Sequence, residues 1–212
     1  MRKEELKLGF EDESIKDFLH KVASKPCTPA GGSIAALCAA SSAALTEMVA
    51  ARTSNKIENE DVIIEMKEIL QKCSVYRDEF LQDMDRDSEA YKDVMYALQL
   101  SEADEKEKEK KQVEVQRSYK EAVNIPREIA RRIIRMIDII KVVIEKGNKN
   151  IKTDAIEAHL MAKASALSLL YHIKINLASI TDAGFVDTVL AEVEIMKDQI
   201  EQNNEVEYQL GL

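Results

Sequence analysis

IIEMKEILQKCSVYRDEFLQDMDRDSEAYKDV, residues 63–94, decides the fold. Ile63, Met66, Leu70, Cys73, Tyr76, Phe80, Met84, Tyr91 and Val94 recur at intervals of three and four, the spacing of one face of an α-helix. No proline or glycine interrupts them, and Asn59 stands before the run as an N-cap. The stripe has one irregular member. Between Met84 and Tyr91 the next position on the same face is Asp87, three residues from the first and four from the second. Asp83 lies one turn earlier on that side, and Asp85 is angled away.

The same periodicity extends outward in both directions. Ser14 opens a first helix with Ile15, Phe18, Leu19 and Val22, and Asp17 stands in capping-box position. A second helix runs from an N-cap at Ser33 to about Ala51. After a polar connector at 101–112, which reads as either a solvated helical turn or a loop, a helix spans 113–146. Pro126 predicts a kink or restart in it near Asn124, because proline lacks an N–H and clashes with the preceding turn. Gly147 is a helix stop. Thr153 or Asp154 starts a fifth helix reaching about Ser179, TDAGF breaks it, and a last helix runs from Val186 to about Tyr208. With three Pro and six Gly in 212 residues and little period-2 alternation, the chain reads as all-α. We expect one domain over 1–212, an up-and-down bundle of about six helices, one long and one proline-kinked.

Bulk properties narrow the function. A net charge of −9 argues against nucleic acid or an anionic membrane as partner. Three cysteines (Cys27, Cys38, Cys73) without a C-x-x-C pair argue against a disulfide framework or structural zinc, and the three histidines match no metal motif. The first residues carry no apolar signal region, and the least charged run, 34–46, is short for a membrane span, so a cytoplasmic protein is expected.

Two features call for chemistry. Burying an ionised carboxylate is costly unless it is paired, hydrogen-bonded or neutralised. Asp87 on the apolar stripe therefore either pairs with Arg127, Arg131, Arg132 or Arg135 of the neighbouring helix, faces solvent where the stripe drifts, or serves a reaction. The crowding of three acids in DMDRD would raise one another's pKa, as a proton-transferring acid requires. The second feature is the breaker cluster TPAGGS, 28–33, before a helix rich in alanine and serine. Its glycines permit positive φ or close backbone approach, and the helix N-terminus behind them attracts an anion or polarised carbonyl. An ordinary turn and tight helix packing explain the same residues.

Together, PAGGSIAALCAASSAALTEMVA (29–50), DRDSEAY (85–91), AVNIP (122–126), GNKNIKTDAIEA (147–158) and INLASITDAGF (175–185) resemble, in order, motifs of the cyclodeaminase/methenyltetrahydrofolate cyclohydrolase family. Ala30 departs from the family's more common glycine. The resemblance implies an all-helical homodimer that binds a tetrahydrofolate derivative as substrate, with no metal or redox cofactor. It implies formiminotetrahydrofolate cyclodeaminase or, alternatively, methenyltetrahydrofolate cyclohydrolase activity; a non-catalytic helical folate-binding or interaction protein is the alternative of another class. The family's catalytic aspartate falls within Asp85–Asp87, with Asp87 first, Asp85 second and Asp83 an outsider. Pro29, Gly31, Gly32, Ser33, Asn176 and Asp182 would bind substrate, Asp154 would cap its helix, and Arg127, Arg131 or Lys163 would meet a glutamate tail.

Overall fold

The computed structural model describes residues 9–56 and 58–202. After a 3-10 turn at Phe10–Asp12 come six helices: α1 (Ile15–Val22), α2 (Gly31–Ser54), α3 (Glu60–Leu98), α4 (Glu105–Lys146), α5 (Lys152–Leu177) and α6 (Ala183–Glu201). No strand occurs among the described residues. The expected end of the last helix at Tyr208 lies outside them.

The helix most central to the packing carries the smallest side chains. α2 lies chiefly against α3 and α5, and α4 covers α5 and α3. Ala35, Ala39, Ala40, Ala43 and Ala50 are all buried in the main core, where Ile129, Ile133, Ile137, Leu169 and Ile173 supply the bulk. Alanine and serine let backbones approach closely. The buried hydroxyls then donate across the gap, Ser165 to the Ala35 carbonyl at 2.6 Å and Ser42 to that of Ala158 at 2.6 Å, so no buried O–H goes unmet at these contacts. α2 is long and apolar enough to cross a membrane by length and composition, but half of its most apolar window is buried within the bundle.

Several boundaries differ from expectation for identifiable reasons. α2 begins at Gly31 with Ala30 as N-cap, in extended conformation (φ −138°, ψ −156°), rather than at Ser33. Ser33 is inside the first turn and its hydroxyl is used elsewhere. α4 begins at Glu105, not near Val113, because Asp104 caps it through the Glu107 N–H at 2.8 Å and Lys111 reaches back to Glu102. The charged connector is therefore mostly a solvated helix. α4 runs uninterrupted through Pro126, with no restart near Asn124. α5 starts at Lys152 after a short turn capped by Asn148, which places Asp154 in the first turn instead of at the cap. Aspartate there still complements the helix dipole. α6 starts at Ala183, so AGF lies in the helix and Asp182 caps it through the Phe185 N–H. Ser14, Asn59 and Gly147 occupy the capping positions expected of them.

Candidate functional site

A cleft of about 320 Å³ opens where the start of α2 meets the C-terminal halves of α3 and α5. Its lining includes Thr28, Ala30 and Gly32 from the corner, Asp87, Tyr91 and Val94 from α3, and His172 and Asn176 from α5. Tyr119 and Ala122 of α4 close another wall. Most of these surfaces are apolar, with a few polar groups converging, as in sites that hold small organic ligands.

The corner is built around two side chains from other helices. A β-carbon on Gly32 would sit 2.1–2.3 Å from the Asp87 carboxylate atoms, and one on Gly31 would sit 2.9 Å from His172 Nε2. Neither glycine adopts positive φ; both are there for close approach. Consecutive glycines thus bring a carboxylate from α3 and an imidazole from α5 onto adjacent peptide units of α2. The Ser33 backbone N–H, at the start of α2, favours the ionised Asp87 carboxylate. The anion expected at this helix N-terminus is the protein's own.

Burial pushes the Asp87 carboxyl above its ordinary value; His172 and the Ser33 N–H pull it partly back, and Asp83 adds a smaller upward push. Crowding of acids is the lesser cause, contrary to the expectation from DMDRD. A carboxyl raised by burial takes up a proton more readily than a solvated one, as a proton-transferring group must.

The other acids have different surroundings. Asp83 is 1% exposed and bonds Arg86 at 2.8 Å as well as Arg132, so the pairing alternative holds for Asp83 and not for Asp87. Burial pushes its carboxyl up while Arg132 and Arg86 pull it down. Asp85 points away from the cleft and accepts the Phe10 N–H at 2.8 Å, holding the N-terminal 3-10 turn against α3. Asp182, besides capping α6, pairs with Lys120 at 2.7 Å, which holds its carboxyl below the usual range. Neither Asp85 nor Asp182 lines the cleft.

The remaining expected binding residues separate in the same way. Gly32 and Asn176 line the cleft, Gly31 backs His172, and Pro29 is buried behind the wall after a cis Thr28–Pro29 peptide. Ser33 is fully buried; its hydroxyl donates to the Met84 carbonyl at 2.8 Å and meets Ser88 Oγ at 3.2 Å, locking α2 to α3 one turn before Asp87. Arg127 and Arg131 both grip Glu192 of α6, and Lys163 lies outside the lining. Sequence reasoning missed His172, Tyr91 and Cys27 as cleft residues. His172 precedes Asn176 by one helical turn, a spacing that could have disclosed it. Cys27, more than burial, raises the Tyr91 phenol, and both residues line the cleft. Among the described residues no group of three His, Cys, Asp or Glu side chains is placed to hold a metal.

Comparison with known proteins gives the cleft a context. The family model described as formiminotransferase-cyclodeaminase matches residues 14–195. The chain is 33% identical over 183 residues to the methenyltetrahydrofolate cyclohydrolase of Methylorubrum extorquens, covering 86% of this chain and 88% of that protein. It is 28% identical over 177 residues to the formimidoyltransferase-cyclodeaminase of Gallus gallus, covering 84% of this chain but 33% of that longer protein. The crystal structure of formiminotetrahydrofolate cyclodeaminase from Thermotoga maritima matches with a TM-score of 0.83 at 31% identity, covering 92% of this chain and 93% of that one.

Proposed function

Because the chain belongs to the formiminotransferase-cyclodeaminase family, we propose that it converts 5-formiminotetrahydrofolate to 5,10-methenyltetrahydrofolate and ammonia, with Asp87 as the proton-transferring group. The observation that carries this reading is the Asp87 carboxyl, raised by burial and held on Gly32 at the wall of the cleft.

In the forward reaction N10 attacks the carbon of the formimino group protonated on its exocyclic nitrogen; a C–N10 bond forms as the C=N π pair moves to that nitrogen. The N10 proton passes to carboxylate Asp87. The exocyclic nitrogen receives that proton, and the C–N bond to ammonia breaks as the N5 lone pair completes the methenyl cation. One carboxyl can serve both transfers, because it gains a proton in the first step and gives it back in the second. Its ionised form also opposes the positive charge developing at carbon, an effect strengthened where water is excluded. His172, on the neighbouring glycine, offsets part of the upward push that burial gives the Asp87 carboxyl. Gly32 forms the floor against which the reacting atoms lie, with Gly31 and Ser33 supporting it from behind, and Asn176 offers hydrogen bonding to the ring system. Asp85 and Asp182 serve this reading only indirectly, as anchors of the N-terminal turn and of α6.

A second reading is methenyltetrahydrofolate cyclohydrolase, in which water attacks the methenyl carbon and Asp87 takes its proton. The cyclohydrolase name of the Methylorubrum relative supports it. Absorbance of the methenyl chromophore separates the two. Appearance from 5-formiminotetrahydrofolate establishes the first reading, and accelerated loss of supplied 5,10-methenyltetrahydrofolate establishes the second. Neither change, with tetrahydrofolate failing to raise the melting temperature, refutes a folate enzyme and leaves an interaction protein.

We also read the protein as a homodimer. Ile175, 75% exposed, stands with Met95 and Leu98 on the rim of the cleft, an apolar surface a second copy would cover. A monomeric mass by sedimentation at working concentration would refute it.

A further inference from the structure

Pro126 lies inside α4 with no N–H to offer, which frees the carbonyl four residues earlier, that of Ala122. A freed, buried carbonyl needs another donor. Asn176 supplies it: its side-chain amide nitrogen donates to the Ala122 carbonyl at 2.9 Å. Both Ala122 and Asn176 line the cleft. The bond settles the orientation of the carboxamide, since only its nitrogen end can donate to a carbonyl. Oδ1 is then held at the opposite end of the carboxamide from the bonded nitrogen, whose second N–H remains beside it, and no donor reaches Oδ1 among the described residues.

We propose that Pro126 is a positioning residue that, through the Ala122 carbonyl, fixes Asn176 as a hydrogen-bond acceptor toward the cleft, and that Asn176 thereby selects a heterocycle presenting N–H or NH₂ at that edge. The inference rests on the folate reading and sharpens it, because the 2-amino-4-oxo ring of tetrahydrofolate carries such an edge. A carboxamide free to rotate would accept or donate equally well and could not discriminate. Asn176 touches the ligand; Pro126 acts only through it.

The test compares two ligands by titration calorimetry, tetrahydrofolate and its analogue bearing a 2-methyl group in place of the 2-amino group. The native protein is expected to prefer the amino ligand by about tenfold, the worth of one good hydrogen bond. Asn176→Leu removes the acceptor and should bind both ligands about equally. Pro126→Ala restores a backbone N–H that competes for the Ala122 carbonyl. It should reduce the preference to about threefold, with the melting temperature unchanged or higher, since alanine favours helix. A purely structural role for either residue would weaken both ligands alike and leave their ratio at the native value. The native ratio persisting in either variant overturns the proposal. Failure of the native protein to bind either ligand overturns the folate reading instead.

Discussion

Asp83 and Asp87 sit one turn apart on the same side of α3, and their surroundings divide them. Asp83 faces α4, whose Arg132 meets one of its oxygens, while Arg86, three residues on in α3, meets the other. Asp87 faces the start of α2, where it meets a glycine, one backbone N–H and an imidazole, with a cleft beyond. A carboxylate whose oxygens are both taken by guanidinium groups is spent on joining helices, although burial still leaves the Asp83 carboxyl above its ordinary value. One that is buried without a guanidinium partner is costly to the fold, and a fold keeps it where chemistry needs it. The difference between the two arises partly in α3, through Arg86, and partly in the facing helices, through Arg132 on one side and the start of α2 on the other.

The comparison breaks most visibly in turnover. Asp87→Asn keeps the shape of the site but can carry no proton, and kcat should fall by about 10²–10⁴-fold. Near-native activity in the methenyl absorbance assay would move the reaction off this residue. Asp83→Ala should do the reverse. It leaves Arg132 with Glu79 and Arg86 with Glu128 as remaining partners and should cost about 2 kcal/mol, in the range for lost charge-assisted hydrogen bonds. Thermal denaturation reads that loss, while kcat of the folded enzyme stays close to native; an active-site defect without a stability defect would reverse the two assignments. Gly32→Ala comes next. Its methyl group would overlap the Asp87 carboxylate at 2.1 Å, so the carboxyl must move about 1 Å, and such a misplacement costs about 100-fold in rate. The calorimetric stability should fall less than for Asp83→Ala.

The smallest effect has the most telling sign. Burial raises the Asp87 carboxyl in the folded state above its ordinary 3.8. The folded protein then binds the proton more tightly than the unfolded chain does, so ionising Asp87 costs stability as pH rises through the raised value. Asp87→Asn should therefore melt higher than native protein at pH 7, and the gap should close below pH 3.8. Loss of turnover with a gain in melting temperature is the signature of a site residue; a melting temperature lowered at pH 7 would place Asp87 with Asp83.

The sequence carried the helices and one of these two acids with some clarity. Periodic apolar residues, the Asn59 and Ser14 caps and the Gly147 stop are local signals, and Asp87 was visible as an acid on an apolar stripe. What escaped depends on contacts between distant segments. Nothing near Asp83 in the chain says that Arg132 will reach it, and nothing near Asp85 says that its oxygen will take the Phe10 N–H. Asp182 carries a local helix-start signal that the resemblance to a binding motif obscured. Ser33 looks like a helix cap, but the Gly-Gly pair before it begins the helix earlier and turns its hydroxyl to the Met84 carbonyl. His172 has no sequence signature except its spacing from Asn176, because the glycine that receives it lies on another helix.

One consequence follows from the character of α2. With alanine and serine along its buried faces, its distance from α3 and α5 is set by backbone against backbone, with few flexible side chains to absorb an error. Both reactive groups take their position from the first two residues of this one rod, Asp87 on Gly32 and His172 on Gly31. The helix therefore works as an alignment gauge. An added methyl pair at Ala39 or Ala43, two or three turns from the cleft, would tilt it and shift both groups together. The enzyme would lose precision at a distance, through a lever rather than a contact.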